Sequence, residues 1–286
     1  MSGKPAARQG DMTQYGGSIV QGAAGVRIGA PTGVACSLCP GGVTSGHPIN
    51  PLLGAKVLPG ETDIVLPGPL PFILSRTYSC YRTKTPAPLP PYQVLTGLVD
   101  RFGRTQTFHR EAAGEFSGEI TGVTDGAGRH FRLALTTQAQ RAEEARKQAS
   151  SGGAEQSAFP DTLPGYTEYG RDNGIRLSAV WLTHDPEYPE NLPAAPLVRY
   201  GWTSRGELAA VYDRSGTQVR SFTYDDKYRG RMVAHRHTGR PEIRYRYDSD
   251  GRVTEQLNPA GLSYTYQYEK DRITVTVVDH KIRTPV

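Results

Sequence analysis

The C-terminal part of the chain repeats one short unit, and this repeat constrains the fold more than any other feature of the sequence. Each unit joins an aromatic strand to a turn with Asp and Gly, most completely in Tyr247-Asp248-Ser249-Asp250-Gly251-Arg252. Asp accepts backbone N–H groups in such a turn, and Gly supplies the positive φ that closes it. A single hairpin cannot bury its ring face alone, but successive hairpins share one. Residues 199–268 are therefore predicted to form consecutive antiparallel hairpins.

Less regular copies of the unit extend the pattern. In one copy, two extra residues separate the Tyr-Asp pair from Gly-Arg, and shorter copies stand upstream at Val99–Arg104 and Val123–Arg129. Turns are predicted at Gly216, Gly251 and Gly261. The residues assigned to the repeat turns are Tyr224, Asp225, Gly230, Arg231, Tyr247, Asp248, Gly251 and Arg252.

Composition agrees with many short strands. The 286 residues include 33 Gly and 22 Pro, and 16 Tyr stand against 7 Phe and 2 Trp. Gly and Pro suit tight turns, and Tyr suits the half-buried face of a strand. We therefore predict a mainly β fold rather than a helical bundle.

Four parts of the chain differ in character, and we take them as its domain organisation. They are a small β unit at 1–46, strand-like runs at 47–135, a helical and Pro/Gly-rich segment at 136–174, and the hairpins at 175–286. The stretch 85–91 is proline-rich and must be extended. The helical pattern covers 136–151, where alanine leaves little to bury, so we expect an exposed excursion or partly disordered linker there.

Charge and hydropathy exclude some classes of protein. The net charge of +5 lies in residues 199–286, which have 16 Lys and Arg against 11 Asp and Glu. Because these cations alternate with carboxylates, solvated strand faces are favoured over nucleic-acid binding.

No apolar run reaches the roughly eighteen residues of a membrane span. Residues 1–12 lack the apolar core of a secretory signal, so we expect the cytoplasm, with export by a route that needs no signal peptide left open.

The repeat resembles a known family. Tyr-Asp-x-x-Gly-Arg is the signature of the YD repeats of Rhs proteins, and Tyr247–Arg252 matches it in full. Residues 46–50, 62–71 and 76–78 look like the entry strands of the Rhs body. In that family a large cocoon of β-hairpins encloses a C-terminal toxin. The chain is too short to close a cocoon, so the resemblance implies a fragment of one, internally deleted near 85–91 and C-terminally truncated.

A second resemblance lies at the N-terminus. Pro5-Ala6-Ala7-Arg8 is the tetrapeptide that names PAAR proteins, and Gly10 and Asp11 follow it. In that family a small cone caps the spike of the type VI secretion apparatus. The resemblance implies that residues 1–46 form a PAAR-like cap whose partner is a VgrG-like spike protein.

Three residues are candidates for the metal that PAAR proteins bind at their tip. Cys36, Cys39 and His47 are the nearby thiols and imidazole, while Tyr15 stands where relatives often have a histidine. Cys-x-x-Cys is half of a zinc site, and structural zinc needs four ligands. We therefore favour free buried thiols and no cofactor over a zinc ion.

Nothing in the sequence argues for catalysis. Asn258-Pro259-Ala260-Gly261-Leu262 resembles the Asp-Pro-x-Gly-Leu site at which Rhs proteins cut themselves, but Asn258 cannot titrate, so a plain turn is predicted. His235 and His237 share a strand face and are taken as part of a solvated polar face. No enzymatic activity is expected.

Three functions remain open from the sequence. The first is a non-enzymatic structural or delivery role as an Rhs shell fragment without a toxin. The second is a cell-surface or carbohydrate-binding module, in which Tyr264, Tyr266 and Tyr268 grip sugar rings. The third is a decayed product without activity. A shell strand hides its rings, whereas a sugar site exposes them in a groove, so burial of the tyrosines separates the first two.

Overall fold

The computed structural model describes residues 49–50, 54–80, 95–152, 159–163, 166–167 and 170–279. The cap at 1–46, with Pro5, Ala6, Ala7, Arg8, Gly10 and Asp11, lies outside the described residues, as does the stretch 85–91. The first strands are β1 (Ile49–Asn50), β2 (Ala55–Val65), β3 (Ile73–Ser79), β4 (Gly97–Val99), β5 (Thr105–Arg110), β6 (Ile120–Thr124) and β7 (His130–Thr136). The helix α1 (Gln138–Gly152) follows, then β8 (Tyr166–Thr167) and β9 (Gly170–Arg171). The remaining strands are β10 (Arg176–His184), β11 (Val198–Trp202), β12 (Leu208–Asp213), β13 (Gln218–Tyr224), β14 (Met232–His237), β15 (Ile243–Tyr247), β16 (Val253–Leu257), β17 (Leu262–Tyr268) and β18 (Ile273–Asp279).

One antiparallel sheet of 13 strands dominates the fold, in the order β18 to β10 and then β7 to β4. Each strand pairs with its neighbour in sequence, except that β7 pairs directly with β10. The predicted mainly β fold and the consecutive hairpins of residues 199–268 are therefore confirmed. The predicted division at 135 and 175 does not separate folding units, because this sheet crosses both boundaries. The strand pattern also continues through β18, beyond the point at which the repeat signature weakens.

A second, three-stranded sheet of β1, β2 and β3 covers one face of the large sheet. Ile64 and Phe72 pack with large-sheet residues in the main core, while Ile49 packs with Tyr245, Val253 and Tyr266 in a second cluster. The large-sheet partners in the main core are Val123, Phe131, Val180, Val198, Tyr200, Val211, Phe222 and Met232. The small sheet therefore reaches from β6 to β17, and most of the apolar core lies between the two sheets.

Backbone contacts fix the small sheet where it meets the large one. The N–H of Val253 donates to the C=O of Gly54 at 2.7 Å, and the N–H of Gly126 donates to the C=O of Leu70 at 3.1 Å. Both sites require glycine. A Cβ on Gly54, which has a φ of +65°, would lie 2.4 Å from Cβ of Arg252, and one on Gly126 would lie 2.5 Å from a backbone oxygen. A larger residue at either position would separate the sheets.

The start of the helix is docked against the rest of the fold, whereas its side chains from Glu143 to Gln148 are mostly exposed, as the composition suggested. Thr137 and Gln140 form a capping box, in which Thr137 Oγ1 accepts the N–H of Gln140 and the Gln140 side chain accepts the N–H of Thr137. Ala142 is fully buried, and the Arg141 guanidinium donates to the C=O of Gly174 at 2.7 Å. Gln138 donates to two further backbone carbonyls. Polar side chains, rather than an apolar stripe, attach the start of this helix to the sheet.

No helix in the described part of the chain is both long and apolar enough to cross a membrane.

The phenol of Tyr78 joins the small sheet to the repeats. Its oxygen donates to the C=O of Gly230 at 2.6 Å and accepts the N–H of Met232 at 2.7 Å. Replacing Tyr78 with Phe is expected to lower the free energy of unfolding by about 1–3 kcal/mol, because two partly buried backbone groups lose their partner. Urea denaturation measures this loss.

The control for this variant is Tyr188→Phe. Tyr188 is exposed and its hydroxyl bonds only the Glu187 carboxylate, so its loss is expected to stay within about 0.5 kcal/mol. Equal losses in the two variants would contradict the role assigned to Tyr78.

Candidate functional site

The repeat turns share one hydrogen-bond pattern that explains their signature. Asp248 Oδ1 accepts the N–H of Asp250 at 3.0 Å and of Arg252 at 2.8 Å. Arg252 Nε donates back to Asp248 Oδ2 at 2.8 Å, and Gly251 between them has a φ of +79°. The upstream turns at 100–104 and 125–129 repeat the same contacts. The Asp-x-x-Gly-Arg sequence is therefore a closed turn in which one carboxylate satisfies both backbone and guanidinium donors.

The longer copy of the turn keeps its essential contacts. Asp225 Oδ1 accepts the N–H of Lys227 at 2.8 Å and of Tyr228 at 2.9 Å. Gly230 has a φ of +79°, and the backbone still closes from Asp225 N to Arg231 O at 2.8 Å. The two extra residues lengthen the loop without breaking the hairpin.

An aromatic side chain links each of three hairpins to an earlier one along one end of the large sheet. The ring sits just before a turn, and its O–H or N–H donates to the carbonyl of the residue that follows the arginine of an earlier turn. These bonds are Trp202 Nε1 to Leu177 O at 2.9 Å, Tyr247 Oη to Met232 O at 2.5 Å, and Tyr268 Oη to Val253 O at 2.6 Å. We call this series the aromatic ladder. It explains why the repeat uses Tyr rather than Phe, since only Tyr carries a donor.

The arginine of the earlier turn completes each step of the ladder. Its guanidinium lies over the ring, where the electrons of the ring attract a cation. The distances from guanidinium carbon to ring centroid are 5.6 Å for Arg176 and Trp202, 5.1 Å for Arg231 and Tyr247, and 4.6 Å for Arg252 and Tyr268. Burial raises the pKa of Tyr268 to about 12, so its hydroxyl stays a donor at neutral pH. Each repeat arginine thus serves its own turn or a later ring, and Arg176 and Arg252 serve both.

Ion pairs and a hydrogen bond between the small sheet and the large sheet hold the small sheet in place. Arg76 Nε lies 2.6 Å from Asp63 Oδ2, and the Tyr200 hydroxyl donates to the same oxygen at 2.6 Å. Arg76 and Arg220 both pair with Glu61. Burial alone would lower the pKa of Arg76, but the hydrogen bond and charge of Asp63 outweigh burial and raise it. Both arginines are therefore bound to protein carboxylates, and Asp63 holds Arg76 in its charged form.

Asp172 is the acidic centre of another turn. Its carboxylate lies 2.7 Å from Arg176 and 2.6 Å from Arg229, and it accepts the N–H of Gly174 at 2.9 Å. Burial alone would raise the pKa of this carboxyl, but the hydrogen bonds from Arg176, Gly174 and Arg229 hold it well below its usual range. Asp172 in the folded chain therefore remains ionised below the pH at which an unperturbed aspartate becomes protonated.

A cavity of about 380 Å³ lies where β3 crosses β10 to β13. Rings of Tyr200, Trp202 and Tyr224 line it, with the charged side chains Glu207 and Arg76. Sequence reasoning missed this site because its residues come from strands that are far apart in the chain. One signal was present, since Glu207 stands where the neighbouring turns have arginine.

The predicted metal ligands Cys36, Cys39 and His47 lie outside the described residues. Within the part of the chain that the structure describes, no group of three His, Cys, Asp or Glu side chains could hold a metal ion. Cys80 has a free thiol that accepts the N–H of Lys56 at 3.0 Å, and burial raises its pKa.

The Asn258 turn and the His235 and His237 pair, which the sequence analysis considered, can both be located in the structure. Asn258 forms a turn in which its Oδ1 accepts the N–H of Ala260, and its C=O accepts the N–H of Gly261, each at 3.2 Å. His237 is exposed, but His235 is buried and lies 2.9 Å from the Tyr245 hydroxyl. The prediction of a solvated polar face is therefore wrong for His235, because the small sheet covers this part of the repeat.

The tyrosine row of β17 is hidden rather than displayed. Tyr266 is 2% exposed and packs against Ile49, and Tyr264 and Tyr268 are half-buried beside it. The buried ring of Tyr266 is not accessible to a sugar, so the three rings do not form an exposed row. The burial criterion therefore favours a shell strand over carbohydrate binding.

The meander and its repeated turns define a hairpin-repeat β protein, and comparisons with known proteins agree. A family model described as RHS Repeat matches residues 247–281, and one described as Domain of unknown function (DUF6531) matches residues 46–87. The chain is therefore similar to RHS repeats in its last described hairpins.

The sequence relatives are bacterial toxins. The chain is 28% identical to Toxin protein Tse5 of Pseudomonas aeruginosa, over 96% of this chain and 26% of that protein. It is 25% identical to Double-stranded DNA deaminase toxin A of Burkholderia cenocepacia, over 78% of this chain and 18% of that protein. The chain thus spans about a quarter or less of these relatives.

Solved structures of Tc toxins are also similar. The Photorhabdus luminescens Tc holotoxin pore with a TccC3 mutation matches 63% of this chain and 9% of that chain, at 14% identity and a TM-score of 0.35. The TcdB2-TccC3-Cdc42 crystal structure matches 58% and 6%, at 17% identity and a TM-score of 0.35.

The ladder bond of Tyr268 gives a direct test of the repeat. Tyr268→Phe is expected to lower the free energy of unfolding by about 1 kcal/mol, because the carbonyl of Val253 loses its donor while the ring stays in place. The matched control is Tyr264→Phe on the same strand, whose hydroxyl makes no hydrogen bond among the described residues. Guanidinium chloride denaturation measures the free energy of unfolding of both variants. Equal losses in the two variants would contradict the role assigned to the Tyr268 hydroxyl.

The charge of Asp172 predicts a pH dependence. A carboxyl with a depressed folded pKa stabilises the fold above its unfolded pKa of about 4, and this stabilisation is lost as pH falls below that value. The free energy of unfolding of the wild type is therefore expected to exceed that of Asp172→Asn by about 2 kcal/mol at pH 7, and this gap is expected to narrow as the pH falls from about 5 to 3. Thermal or urea unfolding across this range measures the gap.

The control is Asp161→Asn, which removes an exposed ion pair with Arg146. Its free energy of unfolding should differ little from that of the wild type at any pH. A gap that is constant with pH would refute the assignment.

Proposed function

We propose that the chain is a non-enzymatic scaffold piece of an Rhs-type toxin, which supplies part of a β shell and has no toxin of its own. The observation that carries this proposal is the burial of the ring-bearing face of the repeats beneath β1 to β3. The polar groups of the repeat are used in turns and in the ladder, which are structural tasks. The toxin relatives support the association with a toxin.

The length of the alignment supports the proposal of an internal deletion. The alignment with Tse5 extends over 364 positions, whereas this chain has 286 residues. Tse5 therefore has residues inside the aligned region that have no counterpart here. A shell missing such residues encloses less volume, which agrees with a scaffold piece rather than a complete container.

The delivery part of the proposal depends on the N-terminal motif alone. Pro5 to Arg8, with Gly10 and Asp11, resembles the start of a PAAR-like cap, and such a cap fits a type VI spike protein as partner. A chain that leaves the cytoplasm on this spike needs no signal peptide. Small β units with little apolar core need a metal or a partner to stay folded, and the incomplete ligand set favours the partner.

A pull-down with purified type VI spike proteins tests this proposal. The full chain is expected to be retained on a spike protein, and a chain without residues 1–46 is expected to be lost, because the cap supplies the contact. Arg246→Ala, an exposed change on β15, serves as the matched control and should be retained like wild type. Retention of the shortened chain, or no retention of the full chain by any spike protein, would count against the proposal.

A further inference from the structure

The aromatic ladder is interrupted at one position. Four turns follow one another along the same end of the large sheet, and three of them place arginine over the ring of a later hairpin. In the turn from Thr203 to Glu207, the carboxylate of Glu207 takes the place of that arginine. The ring of the next hairpin, Tyr224, therefore has no turn arginine over it.

The missing arginine coincides with the cavity. Glu207 and Tyr224 both line its wall, together with Trp202 from the preceding step of the ladder. Among the described residues the Tyr224 hydroxyl makes no hydrogen bond, unlike those of Tyr247 and Tyr268. The ladder bond and the cation are thus lost at the same step, and an open volume stands in their place.

The carboxylate of Glu207 is built into the wall and keeps free acceptor capacity. Its Oε1 accepts the N–H of Gly230 at 2.6 Å, and its Oε2 accepts the hydroxyl of Thr203 at 3.2 Å. A carboxylate has about four lone-pair positions, so further donors can be accommodated. The nearest cation is Arg205, at 3.9 Å, while the cation that lines the cavity, Arg76, is bound to Asp63 and Glu61.

We propose that this cavity binds an alkylguanidinium group, which pairs with Glu207 and lies over the ring of Tyr224 as the repeat arginines do in the neighbouring hairpins. A guanidinium matches a carboxylate through paired N–H donors and stacks on aromatic faces. Leu74, Leu177 and Leu208 line the same cavity and suit the alkyl stem. The group comes either from an arginine side chain of another polypeptide or from a small alkylguanidine. This binding role goes beyond the scaffold function.

Calorimetric titration of the full chain with n-butylguanidinium tests the proposal, with n-butylurea as the neutral compound of the same shape. Butylguanidinium is expected to bind at one site and at least about tenfold more tightly than the urea, because only the cation forms charge-assisted bonds. Equal affinity for the two compounds, or no binding of butylguanidinium, overturns the proposal.

Two variants locate the site. Glu207→Gln keeps an acceptor for the N–H of Gly230 but removes the charge, and it is expected to weaken butylguanidinium binding at least about tenfold. Tyr224→Leu removes the ring from a different strand and is expected to weaken binding severalfold. The control Glu255→Gln removes a half-buried carboxylate outside the cavity that pairs with Arg246, and it should leave binding unchanged. Unchanged binding by folded Glu207→Gln, with folding checked by thermal unfolding, overturns the assignment.

The source of the group is distinguished by a third compound, the blocked tripeptide acetyl-Gly-Arg-Gly-amide. Tighter binding of the tripeptide than of butylguanidinium assigns the cavity to an arginine of a polypeptide. Tighter binding of butylguanidinium assigns it to a small alkylguanidine. Both outcomes support the guanidinium site.

Discussion

The fold depends on covering one face of the large sheet. The rings of β11, β13, β15 and β17 lie on the same face of the sheet, and a single layer of strands would leave that face in water. The sheet of β1 to β3 solves this by lying across the meander, with Ile64 in one cluster and Ile49 in the other. Tyr78 and the Glu61 to Arg220 pair then fix where it lies. The repeat and its cover therefore bury each other's apolar side chains, although they are far apart in sequence.

Within the large sheet, stability passes from one hairpin to another through the turns. Asp248 closes its own turn through Arg252, and Arg252 also lies over Tyr268 of the next hairpin. Tyr268 in turn bonds the carbonyl next to Arg252. Such nearest-neighbour coupling makes an array of marginal hairpins cooperative. It also explains a signature of only four fixed residues, since Tyr, Asp and Arg each make two contacts and Gly supplies the positive φ of the turn.

The sequence predicted the parts of the fold that depend on neighbouring residues. The hairpins of residues 199–268 and the turn at Gly251 follow from local turn chemistry and strand alternation. The place of the small sheet did not follow, because Tyr78 and Gly230 lie 152 positions apart. The burial of His235 was missed for the same reason. The docking of the start of the helix was missed because polar side chains such as Arg141, rather than an apolar stripe, attach it. The cavity gave one local signal, an acidic residue in a series of arginines.

Function in a repeat protein is expected at departures from the repeat. A regular step of the ladder has its donor, its carbonyl and its cation all paired, so it has nothing left to offer a ligand. Glu207 stands where the other turns have an arginine, so no turn arginine lies over the ring of Tyr224. The buried carboxylate of Glu207 lies instead at the wall of a cavity lined by aromatic rings. A cavity beside Glu207 that nothing fills lowers the stability of the fold, so a cavity without a function would be selected against. The same cavity is favourable to keep if a guanidinium fills it, which is why the irregular step, and not the repeated one, is the place to look for a ligand.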